Sequence, residues 1–202
     1  MKLNAGRATV HNKMGSLALQ KGEIDEAFKS FESAQKIAKD VGMKPLEGTA
    51  FKNMSQIHAQ KGDWQKAVEA IDEAIHILRG VDIPDELQDS LDRKGRYLER
   101  KGDLPGAEKS YRESVEILNT FREGLAVGEE VKASFAESRE KVYQRLVNLL
   151  LKQGKSSEGL KYIAQGSMKK TRDDFDQIKP ELSDKEEKNC LLYTSPSPRD
   201  RS

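Results

Sequence analysis

The chain has 202 residues, of which 36% are hydrophobic and 34% charged, and its 35 basic and 34 acidic side chains give a formal net charge of +1. This balance excludes the strong positive field of a nucleic-acid-binding protein, and no apolar run approaches the roughly 20 residues that span a bilayer, so we expect neither a nucleic acid nor a membrane partner. The single cysteine excludes an internal disulfide and fits a cytoplasmic protein.

A short phrase recurs every 40 residues: Lys-Gly-Glu at residues 21–23, then Lys-Gly-Asp at residues 61–63 and 101–103. Each copy stands between two segments with helical periodicity. Repeats of this size cannot bury their apolar faces alone, so the pattern predicts helix pairs that stack on one another. In chain order we predict eight helices, near residues 6–21, 24–41, 46–61, 64–79, 85–101, 104–124, 130–153 and 156–177.

The residues around each turn follow a consistent size pattern. A small residue precedes the turn at Gly15, Ser55 and Gly95. An alanine and then a large residue follow it: Ala27 and Phe31, Ala67 and Ile71, Ala107 and Tyr111. A degenerate fourth copy has Tyr143, Leu146, Val147 and Leu150, a turn at Gly154, then Gly159 and Ile163. The pattern predicts closely approaching antiparallel helices, with the large residue filling the space between repeats.

The turn residues predict how each helix ends and how the next one begins. Glycine supplies the left-handed conformation that ends the first helix of a pair. Asp63 and Asp103 are placed to cap the second helix. Pro105 falls in the first helical turn, where a missing N–H costs little.

This arrangement resembles the tetratricopeptide repeat, whose pattern is W-x2-L-G-x2-Y, then A-x3-F, then P. The resemblance covers roughly residues 9–170 and implies an all-α, right-handed α-solenoid of about four helix pairs. We place the array at residues 1–178, with repeats near 8–41, 48–81, 88–125 and 140–175, and a linker at 179–189. The closing proline is missing from all four copies, and the period is 40 residues instead of about 34, so we expect longer helices than the family standard.

The end of the chain differs from the rest. Residues 190–200 read CLLYTSPSPRD, which is one reading frame of the Nextera transposase sequencing adapter. We interpret residues 190–202 as a disordered, adapter-derived tail; a natural Pro/Ser-rich tail is the alternative. We therefore expect the natural chain to continue past Asn189, and Met1 can likewise be internal. Without Arg199, Arg201 and Asp200, residues 1–189 carry 33 basic and 33 acidic side chains.

The resemblance also implies a binding groove, because the first helix of each pair lines the concave face of tetratricopeptide arrays. The groove candidates are Arg93, Arg96 and Arg100 in the third repeat and Arg145, Asn148 and Lys152 in the fourth. Spacings of three and four place each set along one helix face. Guanidinium groups there can hold the carboxylates of an acidic peptide. A solvated charged face balanced by Asp89, Asp92 and Glu99 is the other interpretation, and both remain open.

The first two repeats offer a polar surface that is not committed to one ligand, formed by Asn12, Ser16, Lys52, Asn53 and Gln56. These residues do not reproduce the Lys and Asn arrangement of the carboxylate clamp that binds chaperone tails. We therefore do not predict chaperone binding.

The sequence offers no catalytic constellation and no metal site. His11 and His58 stand where the repeat pattern has Trp and Tyr, which favours packing, and no histidine has a Cys or His partner at ligand spacing. We expect no enzyme activity, no cofactor and no metal. The predicted function is a protein-interaction scaffold that binds a peptide or helix on its concave face.

A second resemblance concerns the end of the array. Residues 120–123 (TFRE), 133–139 (ASFAESR) and 143–150 (YQRLVNLL) are similar to the final repeat of bacterial proteins in which such arrays precede a caspase-like CHAT domain. Residues 159–173 resemble their junction helix, with departures at Gly159, Gln165 and Met168. The implied alternative function is a regulatory segment of a cysteine peptidase whose catalytic domain is missing from this fragment. We also expect the uncapped ends to favour self-association.

Overall fold

The structure is a computed structural model that describes residues 2–124 and 129–166, with side chains described for residues 4–120 and 140–163. The predicted linker at 179–189, the tail at 190–202 and residues 167–177 of the last predicted helix lie outside these ranges. The described ranges contain helices and turns only. The helices are α1 (Lys2–Gln20), α2 (Ile24–Asp40), α3 (Lys44–Gln60), α4 (Trp64–Arg79), α5 (Pro84–Lys101), α6 (Leu104–Gly124), α7 (Glu129–Lys152) and α8 (Ser156–Gly166).

The helices from α2 to α7 lie within two residues of their predicted bounds at both ends, and α8 begins at the predicted residue. The predicted start of α1 at residue 6 is wrong, because the helix begins four residues earlier, at Lys2. Gly6 costs a helix about 1 kcal/mol relative to alanine, which is too little to end one on its own. α1 therefore continues through this glycine.

The chain divides into two compact units between Phe121 and Arg122. In the first unit, α1, α3 and α5 lie side by side, α2 packs on α1 and α3, and α4 packs on α3 and α5. In the second unit, α7 packs on α8, with the rings of Tyr143 and Tyr162 6.2 Å apart between centroids. The units thus consist of antiparallel helix pairs, as the repeat predicts.

Glycine allows the paired helices to approach where a large residue must fit between them. A Cβ atom added to Gly15 would lie 2.7 Å from the ring of Phe31, and one added to Gly95 would lie 2.4 Å from the ring of Tyr111. Both rings are fully buried. The predicted combination of a small and a large residue is therefore confirmed in the first and third pairs. Gly48 makes a further close approach that we did not predict, because its Cβ would lie 2.9 Å from Leu78.

The turns are built as their residues predict. Gly102 ends α5 with φ +90°, in the left-handed region that favours glycine. Asp63 Oδ1 accepts a hydrogen bond from the Lys66 N–H at 3.2 Å, and Asp103 Oδ1 accepts one from the Gly106 N–H at 2.9 Å. The second helices of the second and third pairs are thus capped by their aspartates.

Candidate binding surface

Three predicted groove residues share one helix of the first unit. Arg93, Arg96 and Arg100 lie on α5 at spacings of three and four, so they occupy one face of that helix. Their exposure increases toward the C-terminal end of α5: the side chain of Arg93 is 22% exposed, that of Arg96 is 43% exposed, and Arg100 is exposed. The three cations therefore differ in how much of each can reach a ligand.

Arg93 belongs to a network that joins α5 to α3. Its Nε donates to Asp89 Oδ2 at 3.0 Å, and its Nη1 donates to Gln56 Oε1 at 2.9 Å. Lys52 Nζ, on α3, donates to the same Asp89 oxygen at 2.9 Å and also to Glu86. We call Lys52, Gln56, Glu86, Asp89 and Arg93 the α3–α5 network. The network joins residues of neighbouring repeats. Arg93 therefore already stabilises the contact between α3 and α5 in the free protein.

The α3–α5 network controls the ionisation of Asp89. Burial alone would raise the pKa of this carboxyl, but the charges of Lys52 and Arg93 and their hydrogen bonds outweigh burial, and the pKa lies below its ordinary value. A lowered pKa in the folded state means that the ionised carboxylate stabilises the fold above the pKa of the unfolded chain, about 3.9. This stabilisation disappears as the pH falls through the lower, folded-state pKa.

We expect the Asp89→Asn variant to show a weaker dependence of stability on pH than the wild type. Between about pH 5 and pH 3 the wild type loses the contribution of the ionised Asp89, whereas the amide has none to lose. Urea denaturation at a series of pH values, followed by circular dichroism, measures both slopes. The exposed Asp82→Asn is the matched control for loss of one carboxylate and is expected to follow the wild type. Equal slopes for Asp89→Asn and the wild type would contradict the prediction.

The acidic residues of α5 neutralise part of its basic face. Asp89 pairs with Arg93, and Asp92 Oδ2 lies 3.5 Å from Arg96 Nε. This contact is an ion pair without a hydrogen bond, and the buried Arg96 Nε has no hydrogen-bond partner among the described residues. Glu99 instead accepts a hydrogen bond from the Tyr111 hydroxyl at 2.9 Å. Asp89 and Asp92 therefore pair with arginines of α5, as expected if this helix face is solvated and its charges are balanced.

The remaining predicted groove residues lie on α7, in the second unit. Arg145 is partly buried, whereas Asn148 and Lys152 are exposed. Their spacings of three and four put them on one helix face, as in the first set. The structure thus brings each set of three together on its own helix and places the two sets in different units. The assignment of all six residues to a groove stays a prediction.

A separate cleft of about 360 Å³ lies between α2 and α3 and contains His58. The imidazole meets the ring of Phe28 edge to face, with centroids 5.4 Å apart. Burial lowers the pKa of His58, which favours the neutral ring at physiological pH. His58 therefore acts as a packing residue, as predicted. In the part of the chain that the structure describes, no three His, Cys, Asp or Glu side chains cluster in a way that could hold a metal ion.

The first two helix pairs match a family model, because residues 6–80 are similar to the tetratricopeptide repeat family. The match spans α1 to α4 and includes the turn glycines Gly22 and Gly62. No curated protein matches the chain as a relative.

Solved structures extend the tetratricopeptide fold beyond the matched segment. BtubC (BKLC) from P. vanneervenii is 16% identical with a TM-score of 0.66, and the match covers 96% of this chain and 68% of that protein. A P. anserina protein described as a kinesin light chain with nearly identical TPR-like repeats is 15% identical with a TM-score of 0.61, over 94% and 82% of the two chains. The N-terminal domain of stress-induced protein-1 (STI-1) from C. elegans is 13% identical with a TM-score of 0.51, over 66% and 95%.

These similarities show the fold, which is an α-solenoid of tetratricopeptide helix pairs, and they support a protein-interaction scaffold in general. None of the helices in the described ranges is long and apolar enough to cross a membrane. The resemblance to arrays that precede a caspase-like domain includes residues 167–173, which lie outside those ranges, and that alternative stays a prediction.

Proposed function

We propose that this chain is a protein-interaction scaffold that binds an acidic peptide segment along the first helices of its repeats, with Arg96 and Arg100 making the principal contacts. The observation that carries the proposal is the state of these two cations. Arg100 is exposed and forms no ion pair or hydrogen bond with any described residue, and the side chain of Arg96 is 43% exposed. Arg100 can therefore bind a carboxylate without giving up an interaction inside the protein, whereas Arg96 is paired with Asp92 at 3.5 Å.

Arg93 and Asp92 affect the same surface of α5 in other ways. Arg93 is held by Asp89 and Gln56, so it positions α5 and adds positive charge nearby. A carboxylate that binds Arg96 must compete with Asp92, whose own side chain is 7% exposed and whose Oδ2 lies 3.5 Å from Arg96 Nε. A ligand carboxylate can reach the exposed part of the Arg96 side chain, whereas its Nε atom is buried.

We expect reversal of both charges, in Arg96→Glu with Arg100→Glu, to weaken binding of acidic peptides by at least about tenfold. A hydrogen bond to a charged group contributes about 1.5–3 kcal/mol, and reversal adds repulsion to its loss. The probe is an array of acidic 12-residue peptides, each paired with the peptide that has Asn and Gln in place of Asp and Glu. Binding of the tightest pair to the full chain is then measured by fluorescence anisotropy.

The matched control reverses two exposed lysines of α2, in Lys36→Glu with Lys39→Glu, and so makes the same change in net charge. If this control weakens binding as much as the α5 variant, net charge alone explains the result and the α5 surface is wrong. If the acidic peptides bind no better than their Asn/Gln counterparts, the acidic specificity is wrong. Both outcomes leave the scaffold architecture in place.

A further inference from the structure

α1 presents an apolar stripe to solvent. Val10 is 55% exposed, Met14 51% and Leu17 53%. Spacings of four and three residues place all three on one helix face. We call Val10, Met14 and Leu17 the α1 stripe. A contiguous apolar face rimmed by polar residues marks an interaction site more often than scattered apolar side chains do.

The same positions are covered in α3 and α5. One repeat further along, in α3, they are Ala50, Met54 and Ile57, which are 0%, 7% and 0% exposed. α2 packs on α3, and its Phe31 forms one apolar cluster with Met54 and Ile57, against which Phe28 also packs. The second helix of the preceding pair therefore covers this face of α3.

α4 covers the equivalent face of α5. Tyr97, which corresponds to Leu17, is 6% exposed and lies against Trp64 of α4, with ring centroids 6.5 Å apart. Lys94, which corresponds to Met14, forms an ion pair with Asp72 of α4 at 2.6 Å. The α1 stripe is thus the surface against which a helix packs in the second and third repeats, and on α1 it is exposed.

The charge of α1 limits which helix can occupy the stripe. The helix carries Lys2, Arg7 and Lys13 and has no aspartate or glutamate. At about 100° per residue, Arg7 and Lys13 lie on opposite flanks of the stripe. A second copy that packed its own α1 against this one would bring like charges together, which is unfavourable. An acidic helix would meet positive charge on both sides.

We propose that the α1 stripe is a second protein-binding surface, separate from the α5 face, that takes an acidic amphipathic helix of a partner protein. The covering helices indicate the pattern that the partner needs. α2 has Ile24, Phe28 and Phe31 toward this interface, and α4 has Trp64, Val68 and Ile71 at the corresponding positions. The partner helix therefore has large apolar residues at i, i+4 and i+7, flanked by Asp or Glu.

The test uses two synthetic peptides derived from residues 24–40, the helix that already fits this kind of face. The acidic peptide carries Lys29→Glu and Lys36→Glu, and the basic peptide carries Glu26→Lys and Glu32→Lys. Binding of each to the full chain is followed by fluorescence anisotropy. We expect the acidic peptide to bind more tightly than the basic one.

Variants of the chain locate the binding site. Val10→Asn with Leu17→Asn removes the apolar contact without adding charge, and we expect it to weaken binding of the acidic peptide by at least about tenfold. Arg7→Gln with Lys13→Gln removes the flanking charges, and we expect it to weaken the acidic peptide only. Because all four residues are surface-exposed, thermal unfolding is expected to match the wild type and so to separate lost binding from lost folding.

Three results would overturn the proposal. The first is unchanged binding to the Val10→Asn, Leu17→Asn variant, or no binding of the acidic peptide to the wild type. The second is a wild-type dimer in sedimentation analysis that this variant converts to a monomer, since the stripe would then belong to a second copy. The third is stripe-dependent binding to vesicles containing phosphatidylserine in place of the peptide, since the basic helix would then lie on a membrane surface.

Discussion

Replacement of Tyr111 by alanine is expected to lower the free energy of unfolding by about 3–5 kcal/mol. The ring is fully buried between α5 and α6, next to the backbone of Gly95, and its hydroxyl donates to Glu99 Oε2 at 2.9 Å. Truncation leaves a cavity beside Gly95 where the ring stood, and the packing contacts of the ring are lost. Urea denaturation followed by far-ultraviolet circular dichroism measures the loss.

The Tyr111→Phe variant separates packing from hydrogen bonding at the same position. It keeps the ring and removes only the bond to Glu99, so we expect a loss of about 1 kcal/mol. If Tyr111→Ala and Tyr111→Phe lose equal stability, the hydroxyl and not the ring holds the pair together, and the packing argument is wrong.

Much of the fold was predictable because its determinants are local and occur three times. Gly62 and Gly102 have a positive φ and stand within two residues after the ends of α3 and α5. Asp63 and Asp103 cap the next helix by accepting from a backbone N–H three residues further on. Alignment of the three copies then identifies the residues that face the paired helix, such as Gly95 and Tyr111. Sequence spacing alone is enough to predict contacts between residues that lie within one or two helical turns of each other.

The turn at Gly42 shows where alignment by pairs fails. Gly42 has φ +74° and joins two repeats, with the Met43 N–H donating to the Ala38 carbonyl at 2.8 Å. The turn at Gly22 has the same bond, from the Glu23 N–H to the Ala18 carbonyl at 2.9 Å. The predicted helix bounds already leave a turn at residues 42–45, but the sequence comparison covered only the turns inside pairs and did not assign Gly42 the role of Gly22.

The binding surface was less predictable, because it depends on which ion pairs form between helices. The sequence places Asp89 four residues from Arg93, which indicates an ion pair within α5. It does not show that Lys52, 37 residues earlier, reaches the same carboxylate. A separation of 37 residues is the 40-residue period minus about one helical turn. A search of the sequence for polar pairs 37 residues apart would have paired Lys52 with Asp89 and Gln56 with Arg93.

Replacement of Gly95 by alanine is expected to lower the free energy of unfolding by about 1–2 kcal/mol. The new Cβ would stand 2.4 Å from the Tyr111 ring, so the ring or the helices must shift, and overpacking of this kind costs about 1–3 kcal/mol. The better helix propensity of alanine returns up to about 1 kcal/mol. Gly6→Ala is the matched control, because its Cβ has no neighbour within 4 Å and only the propensity gain remains. Opposite signs for the two variants in urea denaturation are the expected result.

An exchange between repeats tests whether the small and large residues act as a pair. The second repeat has Ser55 and Ile71 where the third has Gly95 and Tyr111, and both Ser55 and Ile71 are fully buried. Gly95→Ser alone crowds the tyrosine ring, and Tyr111→Ile alone leaves a void beside the glycine. Together they recreate a combination that this protein already uses, so the double variant should lose less stability than the sum of the single losses. Strict additivity would mean that the two positions accommodate their neighbours independently.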